Sequence, residues 1–251
     1  METVAQLQSV LDASPNTIIY LFRSTFEIDK ANPKPIKLHS NRSLVMDAAT
    51  KIRNRVTMPP TVSLPPQNVS GYGGVVILSG SNIALSGGRI EQDALNLECK
   101  YGPDRDTGGS CNFGVDVYQG TDVKVINVTI IGSFGDAIRV YNGQANARGK
   151  PVAEAFGKAA LAALTRRPVV LAHNTIVNPY SFGNCSNCTV QPRGMWIIGS
   201  AGVSGNSVVG PWKYGIDMDS EASFCTITNN IVTDSLYAAI LLYRVRPSLA
   251  N

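Results

Sequence analysis

From Glu2 to Ala13 the apolar residues Val4, Leu7 and Leu11 recur at helical spacing, and the stretch stops at Ser14-Pro15, which predicts one short helix. After Thr17 the period drops to two. β-Branched and apolar residues alternate with polar ones, and Gly or Asn interrupts every five to eight residues, the pattern of short strands. Seven runs are apolar at their first and third positions: Ile36-Lys37-Leu38-His39, Val75-Val76-Ile77-Leu78, Val115-Asp116-Val117-Tyr118, Ile138-Arg139-Val140-Tyr141, Met195-Trp196-Ile197-Ile198, Ile216-Asp217-Met218-Asp219 and Ile240-Leu241-Leu242-Tyr243. Behind the middle runs, a turn and a further strand bring Gly88, Val128, Asn174, Asn206 and Asn230 into one column; Val128, Asn206 and Asn230 each precede the next run by ten residues.

A repeat of 21 to 24 residues with two or three short strands predicts an all-β chain, a right-handed parallel β-helix of seven coils over residues 1–251. Each coil would bury its inner face against its neighbours. A β-sandwich is the rival architecture, and the missing regular leucines disfavour a leucine-rich repeat. Stacked at a coil corner, Asn174, Asn206 and Asn230 would satisfy backbone groups and one another. The helix over residues 2–13 would cap an edge that otherwise pairs with other chains.

The helix, the segment TIIYLFRSTFEIDKANPKPIKLHSNRSLVMD and coils such as NVTIIGSFGDAIRVYNG and NNIVTDSLYAAILLY resemble the pectin-lyase-like superfamily of parallel β-helix polysaccharide enzymes. The resemblance covers nearly the whole chain and implies the fold more firmly than the reaction.

Alternation turns the second and fourth positions of each run away from the core. The second-position column reads Lys37, Val76, Asp116, Arg139, Trp196, Asp217, Leu241, and the fourth reads His39, Leu78, Tyr118, Tyr141, Ile198, Asp219, Tyr243. With strands about 4.8 Å apart, these form an exposed patch roughly 25–30 Å long. Trp196, Tyr118 and Tyr141 there suit sugar rings, with Asp116 and Lys213 beside them as further substrate contacts. The bland alternative is that loops pack over the rings. Insertions between Leu97 and Phe113 and between Tyr180 and Arg193 would wall one rim, and they carry Cys99, Cys111, Cys185 and Cys188. Disulfides are favoured over zinc, because only Cys185 and Cys188 have metal-ligand spacing. Cys225 falls at an inward position as a buried free thiol.

The densest chemistry lies in Trp212–Ser220. Asp217 and Asp219, two apart on one strand, would project together at about 6.5–7 Å, so that one holds a proton while the other stays ionised. Such a pair serves glycoside hydrolysis as acid and base. It equally serves proton abstraction beside a uronate carboxylate neutralised by Arg139 or Arg193. The hexapeptide YGIDMD is similar to the Tyr-Gly-Phe-Asp-Pro-His signature of mannuronan C5-epimerases: Tyr214, Gly215 and Asp217 match, Met218 replaces Pro and Asp219 replaces His. That resemblance implies lyase or C5-epimerase chemistry on an acidic polysaccharide. A polygalacturonase-like hydrolase and a non-catalytic carbohydrate-binding or adhesion protein are the alternatives. Asp136 reads as a turn residue.

The whole-chain charge is +4, and the segment from Ala147 to Arg167 has that same net charge, which makes nucleic acid an improbable partner. That segment lies in a helix-prone insertion over residues 143–168, which reads as a lid or docking helix, as a neutral insertion, or as non-coding sequence included by a mistaken gene model. No apolar run is long enough to cross a bilayer. Five N-x-S/T sequons, at Asn41, Asn68, Asn127, Asn184 and Asn187, with the loop cysteines point to a secreted protein, although METVAQLQ is not a signal leader. A monomer is expected, with no metal site. No cofactor is called for, Ca2+ being the one candidate.

Overall fold

The computed structural model describes residues 3–29, 31, 34–56, 63–64, 69–70, 74–92, 113–133, 136–141, 168–179, 193–218 and 225–242. They form one helix, α1 (Val4–Ala13), and a curled sheet whose strands are all parallel. The chain visits three ladders in turn, and each pass adds one strand segment to each ladder, a set called a rung. Rung 1 consists of β1 (Thr17–Leu21), β2 (Thr25–Ile28) and β3 (Ile36–Leu38). Next, β4 (Arg42–Asn54) supplies the first and second ladders of rung 2, ahead of a small antiparallel pair, β5 (Ser63–Leu64) and β6 (Val69–Ser70). The long β7 (Gly74–Gln92) closes rung 2 and opens rung 3, and β8 (Phe113–Ile126) closes rung 3 and opens rung 4. Rung 4 ends with β9 (Thr129–Ile131) and β10 (Ile138–Tyr141). Rung 5 is β11 (Val169–Ala172), β12 (Thr175–Val177) and β13 (Met195–Ile198); rung 6 is β14 (Ala201–Ser204), β15 (Ser207–Val209) and β16 (Tyr214–Met218); rung 7 is β17 (Cys225–Thr228), β18 (Ile231–Thr233) and β19 (Ala238–Leu242).

The register follows the hydrophobic repeat. Val115 pairs with Ile138, Ile138 with Met195, Met195 with Ile216 and Ile216 with Ile240, so five predicted runs align as read. The second run needs correction. Ile36 pairs with Val76, and Val76 with Val115, so the run is Val76-Ile77-Leu78-Ser79, one residue later than the sequence pattern gave. Val75, Val76, Ile77 and Leu78 are all buried. An unbroken apolar run has no alternation to fix its phase, and one residue of slip exchanges the two faces. Ile77 and Ser79 therefore replace Val76 and Leu78 in the outward columns.

Inward residues of all three ladders and α1 form a continuous apolar cluster that runs from Val4 to Met218. Corners between the first and second ladders are made by single left-handed residues, Asn127, His173, Gly205 and Asn229. Asn and Gly adopt that conformation at low cost. The asparagine column stacks directly behind. Asn174 Oδ1 accepts from the Val128 N–H at 3.0 Å, Asn206 Oδ1 from the Asn174 N–H at 2.9 Å and Asn230 Oδ1 from the Asn206 N–H at 3.0 Å. Each Nδ2 donates to a carbonyl one rung back, at Val125, Leu171 and Val203.

Helix α1 seals the first edge. Its Thr3 and Gln6 form a reciprocal capping box, and Val4, Leu7 and Leu11 are buried. The Gln8 side chain accepts from the Lys37 N–H at 2.8 Å and donates to the Lys37 carbonyl at 3.1 Å, as a neighbouring strand would. Arg42 Nε donates to the Leu11 carbonyl at 2.6 Å and ties down the helix C-terminus.

Candidate functional site

The third ladder carries the site. Its pairings put Asp116 beside Arg139, Arg139 beside Trp196 and Trp196 beside Asp217, on rungs 3, 4, 5 and 6. Their neighbours along the strands, such as Val115, Val140, Ile197 and Ile216, lie in the core, so these four side chains leave the opposite face. Facing outward does not leave them exposed. Asp116, Arg139 and Asp217 are buried, as is Tyr118, while Trp196 and Tyr141 are half-buried. The expected open patch is a covered one.

Burial of these charges is balanced by pairing. Arg139 grips Asp116 with two bonds, Nε to Oδ1 at 3.0 Å and Nη2 to Oδ2 at 2.6 Å, and its guanidinium stacks 3.8 Å from the centre of the Phe113 ring. Arg193 spans three rungs. Its backbone N–H donates to Asp136 Oδ1 at 2.8 Å, its Nη1 lies 3.8 Å from Asp136 Oδ2, and its Nε forms an ion pair with Asp217 Oδ2 at 2.5 Å. The same guanidinium stands 4.3 Å from the centre of the Trp196 ring. The Trp196 indole N–H is buried and has no acceptor among the described residues.

Tyr118 and Tyr141 stack on adjacent rungs at 5.9 Å with planes 6° apart, the geometry of an aromatic platform. Burial, with the neighbouring Tyr141 and Asp116, pushes the Tyr118 phenol up to about 12. Lys213 and Tyr214 stand at the rim of rung 6. The Lys213 ammonium lies 5.3 Å from the Tyr214 ring and 5.9 Å from that of Tyr237. Asp219 lies outside the described residues, and so does Tyr243, the last member of the fourth-position column. Cys99, Cys111, Cys185 and Cys188 and the insertion from 143 to 167 lie outside them as well. Cys225 is a free thiol as expected, half-buried rather than fully buried, with burial raising its pKa.

Sequence reading undervalued Asp136. Backbone bonds from Gly114 to Asp136, Ala137 to Arg193 and Gly194 to Tyr214 put Phe113, Asp136, Arg193 and Tyr214 in one column, just upstream of the small residues Gly114, Ala137, Gly194 and Gly215. Asp136 is buried, and burial raises its carboxyl pKa against the opposing pull of Arg193. The signal available in the sequence was the recurring Gly or Ala one position later. At Gly215 a Cβ would collide with Val232 and lie 2.7 Å from the Ala239 carbonyl oxygen, which gives the glycine of the Tyr-Gly-Ile-Asp segment a packing role. Gly194 answers the same need on the preceding rung, where a Cβ would collide with Val208.

Among the described residues no group of three or more His, Cys, Asp or Glu side chains is arranged to hold a metal ion, and no helix is long and apolar enough to cross a membrane. No protein-family model, curated protein or solved structure matches the chain.

Proposed function

We propose that the chain is a right-handed parallel β-helix enzyme that acts on an acidic, uronate-containing polysaccharide by lyase or C5-epimerase chemistry. The observation that carries this reading is Arg193, poised between Asp136 and Asp217 over the Trp196 ring. A uronate carboxylate needs a cation before its α-proton becomes acidic enough to remove. Arg193 fits that role better than Arg139, because its side chain is 19% exposed whereas that of Arg139 is 5% exposed and held in two bonds by Asp116. Asp217 and Asp219 would then handle the proton on C5. In a lyase the C5–H electron pair forms the C4=C5 double bond, the C4–O bond breaks, and the departing oxygen takes a proton from Tyr214. In an epimerase the C5 proton returns from the opposite face and the chain stays intact. Trp196, Tyr141 and Lys213 would line the sugar subsites, with the buried Tyr118 and Asp116 supporting them from behind. Asn41 and Asn127, two of the sequon asparagines, are exposed at corners, in keeping with a secreted protein, here proposed to act as a monomer without nucleic-acid or membrane partners.

A second reading, sugar binding without chemistry, is favoured by a separate observation: both guanidinia are ion-paired with carboxylates of the chain itself. Incubation with alginate and pectate decides between them. A lyase yields both ultraviolet absorbance from the unsaturated uronate and new reducing ends. A polygalacturonase-like hydrolase yields reducing ends alone, and an epimerase changes only the NMR spectrum of the polymer. Asp217→Asn should abolish the product by about a hundredfold or more. Binding with no product, unaltered by Asp217→Asn, rejects the enzymatic reading. Repeating the incubation with a chelator decides whether Ca2+ takes part.

A further inference from the structure

The second ladder bears a feature unrelated to that site. Its outward positions on rungs 1 to 3 hold Glu27, Lys51, Arg53, Arg89 and Glu91, and Arg55 follows directly after β4. Glu91 is shared by Arg53 at 2.8 Å, Arg89 at 3.3 Å and Lys51 at 3.6 Å; Glu27 is shared by Arg55 at 3.2 Å and Arg53 at 3.8 Å. Four cations face two carboxylates, so the cluster keeps an excess of two positive charges. Solvated strand faces gain little from such pairs, and an excess of one sign costs repulsion unless an anion completes it.

A cleft of about 320 Å3 opens in this cluster at the end of the second ladder, lined by Arg53, Arg55 and Arg89, by the Glu91 carboxylate that Arg53 and Arg89 share, and by Asn54, Gln92 and Ile131, so that three guanidinium groups still outnumber one carboxylate there. At its base the Asn54 side chain is fully buried. Asn54 Oδ1 accepts from the Val56 N–H at 3.3 Å, which fixes the amide orientation. Its Nδ2 is then left with no acceptor among the described residues. Gln92, paired with Asn54 on the next rung, differs: its Nε2 donates to Ser133 Oγ at 3.0 Å. A buried donor without an acceptor is rare in folded proteins. Here it shares a cleft with three guanidinium groups.

We propose that this cleft binds an oxyanion, a sulfate or carboxylate group, with Arg53, Arg55 and Arg89 as its charged donors and Asn54 Nδ2 as the neutral donor at the base. The volume, at the low end for ligand pockets, suits one such group and the sugar ring that carries it. Guanidinium forks match planar and tetrahedral oxyanions alike. The proposal does not rest on the reading of the Asp217 wall, which lies on another ladder.

The test titrates the whole chain with sodium sulfate, with sodium chloride at equal ionic strength as the control, and follows amide NMR shifts and melting temperature. Sulfate should saturate, with shifts centred on residues 53–56, 89–92 and 131, and chloride should not. Arg55→Gln and Arg89→Gln should each weaken sulfate binding about tenfold. Ile131→Trp, which fills the cleft and leaves every charge in place, should abolish it. Titration with an oligouronate separates the two sources: tighter binding than sulfate assigns the site to a saccharide acid, and equal or weaker binding assigns it to a free anion. Equal responses to sulfate and chloride, or a sulfate response that survives Arg55→Gln and Ile131→Trp, overturn the proposal.

Discussion

At the scale of single residues, the candidate wall stands on charges that are mostly buried and all ion-paired: Asp116 with Arg139, and Asp136 and Asp217 with Arg193. Asp116 and Arg139 have side chains 0% and 5% exposed, so removing one partner leaves an uncompensated charge in a low-dielectric setting. Asp116→Asn and Arg139→Met should each lower unfolding free energy by about 3–5 kcal/mol, and the double replacement Asp116→Leu/Arg139→Met should recover most of it. Urea denaturation of the four proteins checks both statements. The Tyr118 phenol, pushed up to about 12 by burial, keeps its proton in the fold where the unfolded chain gives it up near the ordinary value of 10.0. The folded state then binds more protons than the unfolded one, so stability falls as pH rises from 10.0 towards 12. Tyr118→Phe should remove that part of the decline, read from melting temperatures across the alkaline range.

At the scale of elements, strands are joined by repeated corner devices, and each device predicts a graded cost. Asn206 accepts from Asn174 and donates to the Leu171 carbonyl and to Asn230, whereas Asn230 ends the stack and is only partly buried. Asn206→Leu leaves at least two buried backbone groups unpaired, at about 1–3 kcal/mol each, and should cost more than Asn230→Leu by equilibrium unfolding. The Gly column behaves differently. Gly215→Ala drives a methyl group into Val232 and should cost about 1–3 kcal/mol, while Gly202→Ala, whose nearest neighbour is Thr226 Oγ1 at 3.4 Å, should cost less than that. The asparagine column was legible in the sequence as Asn recurring at one position of the repeat, and the glycine column emerged only from the pairing of the rungs. Phe113 and Asp136 were marked only by the small residue that follows each, because nothing local identifies a side chain whose partner lies 57 residues away, as Arg193 does from Asp136.

At the scale of the whole molecule, the two ends of the ladders differ. On rung 1 the edge is closed by α1, with Gln8 standing in for a strand at Lys37. Deleting residues 1–13 should expose that edge and cause concentration-dependent association, measured by light scattering, whereas Gln8→Ala alone should only lower stability. On rung 7 Ile231, Tyr237, Ile240 and Leu242 remain exposed. The chain's own alternation of apolar and polar residues determined that it forms short strands, where they repeat, which residues turn inward and which asparagines stack, because each follows from local periodicity and corner geometry. It also marked Asp116, Arg139, Trp196 and Asp217 as one column. Only tertiary structure decided the phase of Val75–Leu78, where four apolar residues in a row fit either face, and only it decided that the outward charges are buried and paired. Alternation tells a side chain which way to leave the strand; what it meets there depends on residues brought in from distant turns of the chain.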